Sequence, residues 1–481
     1  MTSLASRVLG VAATMVVVAA CSSVTTQSGT TSSGSSSASA GEGPGGAAAT
    51  TATTAASTGA GGSGGIGGEA SSSAASSSAA SSSAASSSAA SSSAASSSTA
   101  ASSSSGDPAD LDLDLDGDGW SPNEGDCCDL PTDCDNPPLI NPGAFEFPGN
   151  NVDDDCDPMT LDNAALLDCT PPPLQAPTAA DDLIKAMDLC QFVSEVAPKP
   201  QRKWGVISTS LHLADGTLAP KDLQVGVLDS FGASVVPQAG ASMASISTGT
   251  ARRKNDPGFV TPQAPNSYDA GTTATAPFVF LAAHNGVVPT AQSCPVCQGP
   301  TCDKAFDSVD LEVRLRVPTN TGSFSFRHRM FTAEYPARIC AGYNDFFVAL
   351  LLTTWTPSPN QMPPSPPLPL DRNIAFDAQK HFMSVDNATF DVCFPTAGAP
   401  PGSCPGGTLD LVGNGYGGGG NGVAAGAATG WLIADASVVP GETIELELIV
   451  WDALDHQGDA LVLLDKFRWN APNCWGNCPH P

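Results

Sequence analysis

Residues 110–129, DLDLDLDGDGWSPNEGDCCD, carry the densest array of chemical groups in the chain. Every second position from Asp110 to Asp118 is a carboxylate, and the adjacent cysteines Cys127 and Cys128 follow closely. Two carboxylates about 6 Å apart repel each other by roughly 3 kcal/mol at an effective dielectric constant of about 20. Such a run must therefore either bind a cation or stay solvated.

The acids have the spacing Asp-x-Asp-x-Asp-Gly, which is typical of calcium loops because glycine permits a sharp bend between oxygen ligands. This spacing is carried by Asp112, Asp114, Asp116 and Asp118. An EF-hand requires Glu at position twelve, where this chain has Asn123, and no flanking helices are predicted. The pattern predicts a calcium loop without helices; the alternative is a solvated acidic spacer without metal. A transition metal fits poorly, since the segment lacks histidine and its cysteines are expected to be oxidised.

The first twenty residues are typical of a bacterial secretion signal. Arg7 supplies a positive n-region, and VLGVAATMVVVAA, residues 8–20, is an apolar stretch too short to span a bilayer. Val18-Ala19-Ala20-Cys21 resembles the lipobox of bacterial lipoproteins. The resemblance implies cleavage of residues 1–20 and acylation of Cys21. With Ser22 after the cysteine, it implies a lipid-anchored protein of the outer membrane or cell surface. The alternative is an ordinary signal peptide with Ala-x-Ala cleavage.

The charge and the cysteines agree with this location. The 481 residues include 48 acidic and 19 basic side chains, a net charge of −29. This charge repels nucleic acid and anionic lipid headgroups, so neither is an expected partner. Removing Cys21 from the fifteen cysteines leaves an even number, which in an oxidising compartment indicates disulfides.

Three compositional zones follow the signal. Residues 21–106 are almost wholly Ser, Ala, Gly and Thr, and they are predicted to form a disordered stalk with a reach of roughly 50 Å. Residues 107–162 hold seventeen acids, no Lys or Arg, and too few apolar residues to fold by burial alone. Residues 163–481 have a globular composition and are predicted to form the β domain.

Alternating hydrophobicity predicts that the C-terminal region is mainly β, as one β-sandwich with long loops or as two subdomains. In VDLEVRLRV, residues 309–317, apolar and charged side chains alternate, which is the pattern of a half-buried strand. Three further runs read as strands: residues 324–330, 444–450 and 459–469. A short helix is predicted around residues 179–195, where Leu183, Met187 and Cys190 share one face.

With its continuation to Asp157, the acidic segment resembles the MopE-like metal-binding motif of myxobacterial and related surface proteins. The submotifs occur in order as Gly125-Asp126-Cys127, Asn141-Pro142-Gly143-Ala144-Phe145-Glu146 and Asn151-Val152-Asp153-Asp154-Asp155-Cys156-Asp157. The resemblance implies one calcium cage formed by Asp112, Asp114, Asp116, Asp118 and Asp126, with the backbone carbonyl of Trp120. It implies a second cluster of Asp153, Asp155 and Asp157, tied to the first through Cys127, Cys128, Cys134 and Cys156. Cys128 departs from the motif, which leaves the disulfide partners open.

Residues 204–469 resemble the choice-of-anchor L domain of secreted and surface bacterial proteins. The strongest matches are Glu334-Tyr335-Pro336 and Tyr343-Asn344-Asp345-Phe346, accompanied by residues 247–252 and Trp451-Asp452. The resemblance implies a β-sandwich-like domain without a defined biochemical activity. Glu334, Asp345, Asp452 and Asp459 lie at or near predicted strand ends. They are expected to bond loop backbone, and the alternative is that they hold a second calcium ion.

The remaining motifs do not point to an enzyme. The sequence has no His-Glu-x-x-His and no Gly-Lys-Ser/Thr phosphate loop, and His328 falls on an apolar strand face, as a core residue would. Cys294, Cys297 and Cys302 have a zinc-like spacing, but a disulfide-stapled loop is expected in this compartment. Cys474 and Cys478 are expected to staple the C-terminal tail.

The sequence therefore predicts a non-catalytic, calcium-stabilised surface lipoprotein with an adhesive or structural role and a cell-surface protein or glycan as ligand. The alternatives are a carbohydrate-active or other hydrolase that uses β-sandwich carboxylates, and a surface protein that scavenges metal.

Overall fold

The computed structural model describes residues 111–160, 171, 178–358, 367–386, 389–394, 404–417 and 426–470. The predicted signal peptide, Cys21, the Ser/Ala stalk, Cys474 and Cys478 lie outside these residues. In the ranges given above, no helix combines the length and the apolar character needed to cross a membrane.

Most regular elements of the described residues are strands. They are β1 (Gly205–His212), β2 (Val225–Leu228), β3 (Met243–Ser247), β4 (Thr273–Thr275), β5 (Lys304–Arg316), β6 (Ser323–Thr332), β7 (Phe346–Leu352), β8 (Met383–Ser384), β9 (Val392–Cys393), β10 (Ala427–Ala428), β11 (Leu432–Ser437), β12 (Thr443–Asp452) and β13 (Ala460–Asn470). Two short α-helices accompany them, α1 (Ala180–Lys185) and α2 (Phe278–Ala283).

The strands form two antiparallel sheets. Sheet A has the order β1-β5-β12-β7-β8, with β4 paired to the start of β5. Sheet B has the order β2-β3-β13-β6-β10-β9, with β11 paired to β6. The inner faces of both sheets contribute to one hydrophobic cluster, so the predicted mainly-β, sandwich-like class is confirmed.

The alternating runs form the central strands because one face of each is apolar. On β5 the residues at every second position from Val309 to Leu315 are buried in the core between the sheets. On β12, Ile444 and its apolar neighbours at every second position do the same, while Glu445 and Glu447 lie on the opposite face. β5 begins at Lys304, earlier than the alternation indicates, because its first residues pair with β4 and bury polar side chains.

His328 on β6 lies in the core, as expected for its apolar strand face. Its side chain is fully buried and lies 5.3 Å, centroid to centroid, from the ring of Phe347. Neither ring nitrogen has a hydrogen-bond partner among the described residues. Burial lowers the pKa of His328 to about 3, so the imidazole is neutral at physiological pH.

The helix predicted around residues 179–195 is shorter in the structure. Helix α1 ends at Lys185, and Asp188 has a left-handed φ of 70°. Leu183 and Met187 are nevertheless buried in the core, as their spacing predicts. Beyond the helix, Cys190 is held in a disulfide and Phe192 forms a β-bridge with Val206 of β1.

The cysteines with zinc-like spacing are oxidised, which confirms the predicted disulfide-stapled loop. Cys297 is paired with Cys302, and Cys294 is paired with Cys340 across 46 residues. A further disulfide joins Cys393 to Cys404.

Candidate metal centres

The acidic loop before Trp120 curls around its own backbone amides. Asp114 accepts hydrogen bonds from the amides of Gly117, at 2.7 Å, and Gly119, at 2.9 Å. Both glycines have positive φ, 82° and 98°, a conformation that other residues rarely adopt. Asp118 accepts a 2.7 Å hydrogen bond from the Trp120 amide. The two glycines therefore set the bends that gather the aspartates.

The loop brings its carboxylates into two overlapping groups. In one, single oxygen atoms of Asp116, Asp118 and Asp126 lie within 4.8 Å of one another. In the other, Asp116 is grouped within the same limit with Asp114 and Asp129. Asp129 is held there because its Oδ1 accepts a 2.7 Å hydrogen bond from the backbone of the acidic loop. These five aspartates are called the first cage.

Three oxygen atoms of the first cage are buried and receive no hydrogen bond from any described residue. They are Oδ2 of Asp116, Asp126 and Asp129. The other oxygen of Asp126 accepts a 2.8 Å hydrogen bond from the Cys128 amide. A buried acceptor without a donor is unfavourable, whereas a hard cation prefers several carboxylate oxygens converging on it. The side chains present therefore fit a hard cation that is bound through oxygen.

Burial also changes the acidity of the first cage. It raises the pKa of Asp118 to about 7 and that of Asp126 to about 6, and the neighbouring carboxylate charges add to both shifts. Hydrogen bonds from the Trp120 and Cys128 amides act in the opposite direction. The site therefore favours a proton or a cation over bare negative charge.

A second cage consists of Glu146, Asp153 and Asp155, whose ligand atoms also lie within 4.8 Å of one another. Glu146 Oε1 is buried and has no hydrogen-bond partner in the part of the chain that the structure describes. Burial raises the pKa of Glu146 to about 7. Asp157, expected in this cluster, instead lies 2.9 Å from Lys203 Nζ, which lowers its pKa.

The cages differ in membership from the sets implied by the sequence motif. Asp112 is exposed and accepts a hydrogen bond from the Asn123 side chain. Asp129 and Glu146 join the cages although neither was among the predicted ligands. Glu146 had a signal, since it closes the Asn-Pro-Gly-Ala-x-Glu submotif, whereas Asp129 had only its position after the paired cysteines.

Two disulfides hold this region together. Cys127 is bonded to Cys156, 29 positions away, and joins the segments that carry the two cages. Cys128 is bonded to Cys134 and closes a short local loop. The four cysteines thus pair as one long-range and one local bridge, which resolves the open question of Cys128.

Residues 111–160, called the acidic module, are docked on the loop that follows β5. Asn320 exchanges two 2.8 Å hydrogen bonds with the backbone N–H and C=O of Phe145. Thr319 Oγ1 donates a 2.6 Å hydrogen bond to Asn141 Oδ1. The Phe145 ring lies 5.1 Å from the Trp204 ring, centroid to centroid. Hydrogen bonds and aromatic packing therefore fix the module to the β domain.

Three of the four acids singled out in the β domain converge at one end of the sandwich. Glu334, Asp345 and Asp452 are at most 2% exposed. The carboxyl groups of Asp345 and Asp452 lie within hydrogen-bonding reach of each other. Burial, together with repulsion from neighbouring carboxylates, holds the pKa of all three well above the ordinary range.

Asp459 lies beside this group and has partners of its own. Its Oδ2 accepts a 3.4 Å hydrogen bond from the Tyr268 amide. Gly249 packs so closely against it that an added Cβ would lie 1.8 Å from Asp459 Oδ2. Gly249 therefore makes room for the buried carboxylate.

A separate acidic cleft of about 360 Å³ lies on the outer face of sheet A, beside α2. Asp310, Glu445, Glu447 and Arg372 are among its lining residues. Burial raises the pKa of Asp310 to about 9 and that of Glu447 to about 6, and repulsion from nearby carboxylates adds to both shifts. Two carboxyl groups with separated pKa values in one cleft can divide the roles of acid and base.

Comparison with known proteins assigns no family to the chain. No family model and no curated protein matches it. A solved structure of a β-glucosidase from Kluyveromyces marxianus in complex with glucose aligns at 8% sequence identity with a TM-score of 0.13. The alignment covers 39% of this chain and 16% of that protein, and a likeness this weak carries no argument.

Proposed function

We propose that the protein is a lipid-anchored bacterial surface protein in which calcium stabilises the acidic module and the β domain has an adhesive or structural role. The proposal depends mainly on the buried oxygens of Asp116, Asp126 and Asp129, which lack donors within the described residues. Protein oxygens that neither face water nor accept a hydrogen bond are typical of a cation site.

The chemistry of the module favours calcium over other metals. Residues 107–162 contain no histidine, and the four cysteines of the module are held in disulfides. A soft or borderline metal therefore lacks its preferred ligands. Magnesium usually keeps several waters, whereas calcium accepts six to eight oxygens in a flexible arrangement. The two carboxylate cages, with their buried oxygens, therefore fit calcium better than magnesium.

Calorimetry of the full chain tests the calcium site. We expect calcium to bind the wild-type chain and to raise its melting temperature, and Asp116→Asn to weaken both effects. Asp133→Asn is the matched control, since Asp133 is an exposed acid of the same module. Absence of calcium binding, or equal binding by the wild-type and Asp116→Asn chains, would refute the calcium part of the proposal.

The lipid anchor is supported by the lipobox-like Val18-Ala19-Ala20-Cys21 and has its own test. Bacterial cells that express the full chain are fed a fatty acid with a chemical handle, and the protein is isolated from the membrane fraction. We expect label on the wild-type chain and none on Cys21→Ser. Label on both chains, or on neither, would refute anchoring at Cys21.

The adhesive role predicts a ligand on a cell surface, either a protein or a glycan. Immobilised glycans and whole cells are incubated with the full chain in calcium or in chelator. We expect retention that depends on calcium and on the module, without turnover of the glycan. Retention that Asp116→Asn leaves unchanged would separate the β domain's ligand from the calcium module.

The acidic cleft supports a second candidate, a hydrolase that uses Asp310 and Glu447. Their raised pKa values, about 9 and about 6, give a protonated and a largely ionised carboxyl group at neutral pH. Screening glycans and peptides for turnover tests this candidate. Turnover that is lost in both Asp310→Asn and Glu447→Gln would replace the non-catalytic role, and absence of turnover would remove the hydrolase.

A further inference from the structure

The trio formed by Glu334, Asp345 and Asp452 is assembled by strand register. β7 and β12 are antiparallel with Phe346 opposite Trp451, so the next positions place Asp345 opposite Asp452. Glu334 follows the end of β6 and reaches the same place from sheet B. Three elements from both sheets therefore deliver one carboxylate each to a buried point.

Each member of the trio has one oxygen that is buried without a hydrogen-bond donor in the described part of the chain. These atoms are Glu334 Oε2, Asp345 Oδ1 and Asp452 Oδ1. The remaining oxygen of Asp345 accepts a 3.3 Å hydrogen bond from Thr332 Oγ1, and the Asp345 amide donates to Glu334. The three side chains are therefore held in place by hydrogen bonds, and their donor-free oxygens belong to the point where the carboxylates meet.

The charged groups around the trio do not neutralise it. Asp455 is half-buried and adds a further negative charge that all three members sense. Arg338 attracts Glu334, but its guanidinium lies over the Tyr343 ring, 4.5 Å from the centroid. Charged carboxylates that are buried together are unfavourable unless protons or a cation compensate them.

We propose that Glu334, Asp345 and Asp452 bind one dehydrated divalent cation of the calcium class inside the β domain, separately from the acidic module. The three donor-free carboxylate oxygens are hard ligands of the kind that calcium prefers, and a divalent cation offsets two of the trio's three negative charges. The cation joins the loop after β6 to the ends of β7 and β12. Gly458 permits this closure, since an added Cβ would lie 3.0 Å from Glu334 Cγ.

The test measures metal content in a full chain whose module cannot bind. Asp116→Asn, Asp126→Asn and Glu146→Gln are combined, the protein is exchanged against a mild chelator, and calcium is counted by mass spectrometry. We expect one calcium per chain to remain, and Asp345→Asn with Asp452→Asn to remove it. Asp465→Asn is the matched control because Asp465 is equally buried but accepts backbone hydrogen bonds, and it should keep the ion.

Absence of calcium from the module-disabled chain, or its retention by the Asp345→Asn, Asp452→Asn chain, overturns the proposal in favour of protonated carboxyl groups. If that double variant does not fold, Glu334→Gln is measured in its place. Terbium luminescence gives a further readout, since Trp451 precedes Asp452 and lies in van der Waals contact range of the buried end of β7. We expect Trp451→Phe to reduce terbium emission more than twofold in the module-disabled chain, and unchanged emission also overturns the proposal.

The outcomes separate this cation from the proposed function. Equal calcium content in the wild-type and module-disabled chains would refute the module site and leave the buried site standing. Loss of all calcium on disabling the module would refute the buried site and leave the module site standing.

Discussion

Replacing Asp126 by asparagine should change the stability of the acidic module in opposite directions with and without calcium. The substitution keeps Oδ1, which accepts the 2.8 Å hydrogen bond from the Cys128 amide. It replaces Oδ2, a buried oxygen without a partner among the described residues, by an NH₂ group. The new group is a donor beside Asp116 and Asp118, and it cannot coordinate a cation.

The magnitude follows from the distances in the first cage. At 4.8 Å, the upper limit of separation in this group, two carboxylates repel by about 3.5 kcal/mol at a dielectric constant of about 20. Asp126 has two such neighbours, but both are partly exposed, and solvent and salt leave about 1–3 kcal/mol in total. Without calcium, Asp126→Asn should therefore stabilise the module by about 1–3 kcal/mol. With calcium at about a thousand times its dissociation constant, the variant should lose about 4.1 kcal/mol of ligand stabilisation, which leaves it about 1–3 kcal/mol less stable than the wild type.

Urea unfolding of the full chain measures both effects at a pH above the Asp118 pKa of about 7. Trp120 is the tryptophan of residues 107–162, so the difference between chains with and without Trp120→Phe isolates the module signal. Asp133→Asn is the control and should shift the midpoint little in either condition. A change of the same sign in calcium and in chelator would refute the reasoning.

Three further outcomes are expected. Without calcium, the module should lose stability as the pH rises from about 4 through about 7, because the folded Asp118 carboxyl, with its pKa raised to about 7, holds its proton longer than the unfolded one. Urea titrations in chelator measure this, and a stability that increases with pH over this range would contradict it. Gly249→Ala should lower the free energy of unfolding by about 1–3 kcal/mol in urea titrations, because its Cβ would lie 1.8 Å from Asp459 Oδ2. Gly430→Ala is the control and should lower it little, since its Cβ would have its nearest neighbour at 3.8 Å. Equal effects of the two substitutions would contradict the steric cause. His328→Phe should raise the free energy of unfolding by about 1 kcal/mol, because it removes two buried nitrogens that have no partners in the described residues. It should also abolish the loss of stability that the histidine, with its pKa lowered to about 3, causes as the pH falls below about 6.5. Calorimetric melting against pH measures both effects, and a lower melting temperature at neutral pH would contradict the first.

The strands of the sandwich were predictable because their signal is local. In β5 and β12 one side of each strand faces the core, so apolar residues recur at every second position. β10 and β9, each two residues long, carry no such period and depend on neighbours far away in the sequence. The start of β5 was missed for the same reason, since its partner β4 lies in a separate segment of the chain.

The candidate metal centres were predictable only in part because their members are gathered by folding. The run from Asp114 to Asp118 is visible as a repeat, but Asp129 enters the first cage because it accepts a hydrogen bond from the backbone amide of Leu115, 14 positions away. The meeting of Asp345 with Asp452 depends on strand register, which the sequence does not display. Docking of the module through Asn141, Phe145 and the loop after β5 likewise involves residues more than 170 positions apart.

The bridge between Cys127 and Cys156 determines how the molecule would bear a mechanical load. Tension applied at residue 111 passes along residues 114–126, crosses the disulfide and continues from Cys156 towards the β domain. The bridge shields residues 128–155 from stretching, whereas four of the five aspartates of the first cage lie directly in the line of force. Under tension the cage would yield before the shielded segment does. A calcium ion bound in the first cage, as proposed above, would strengthen this part of the force path.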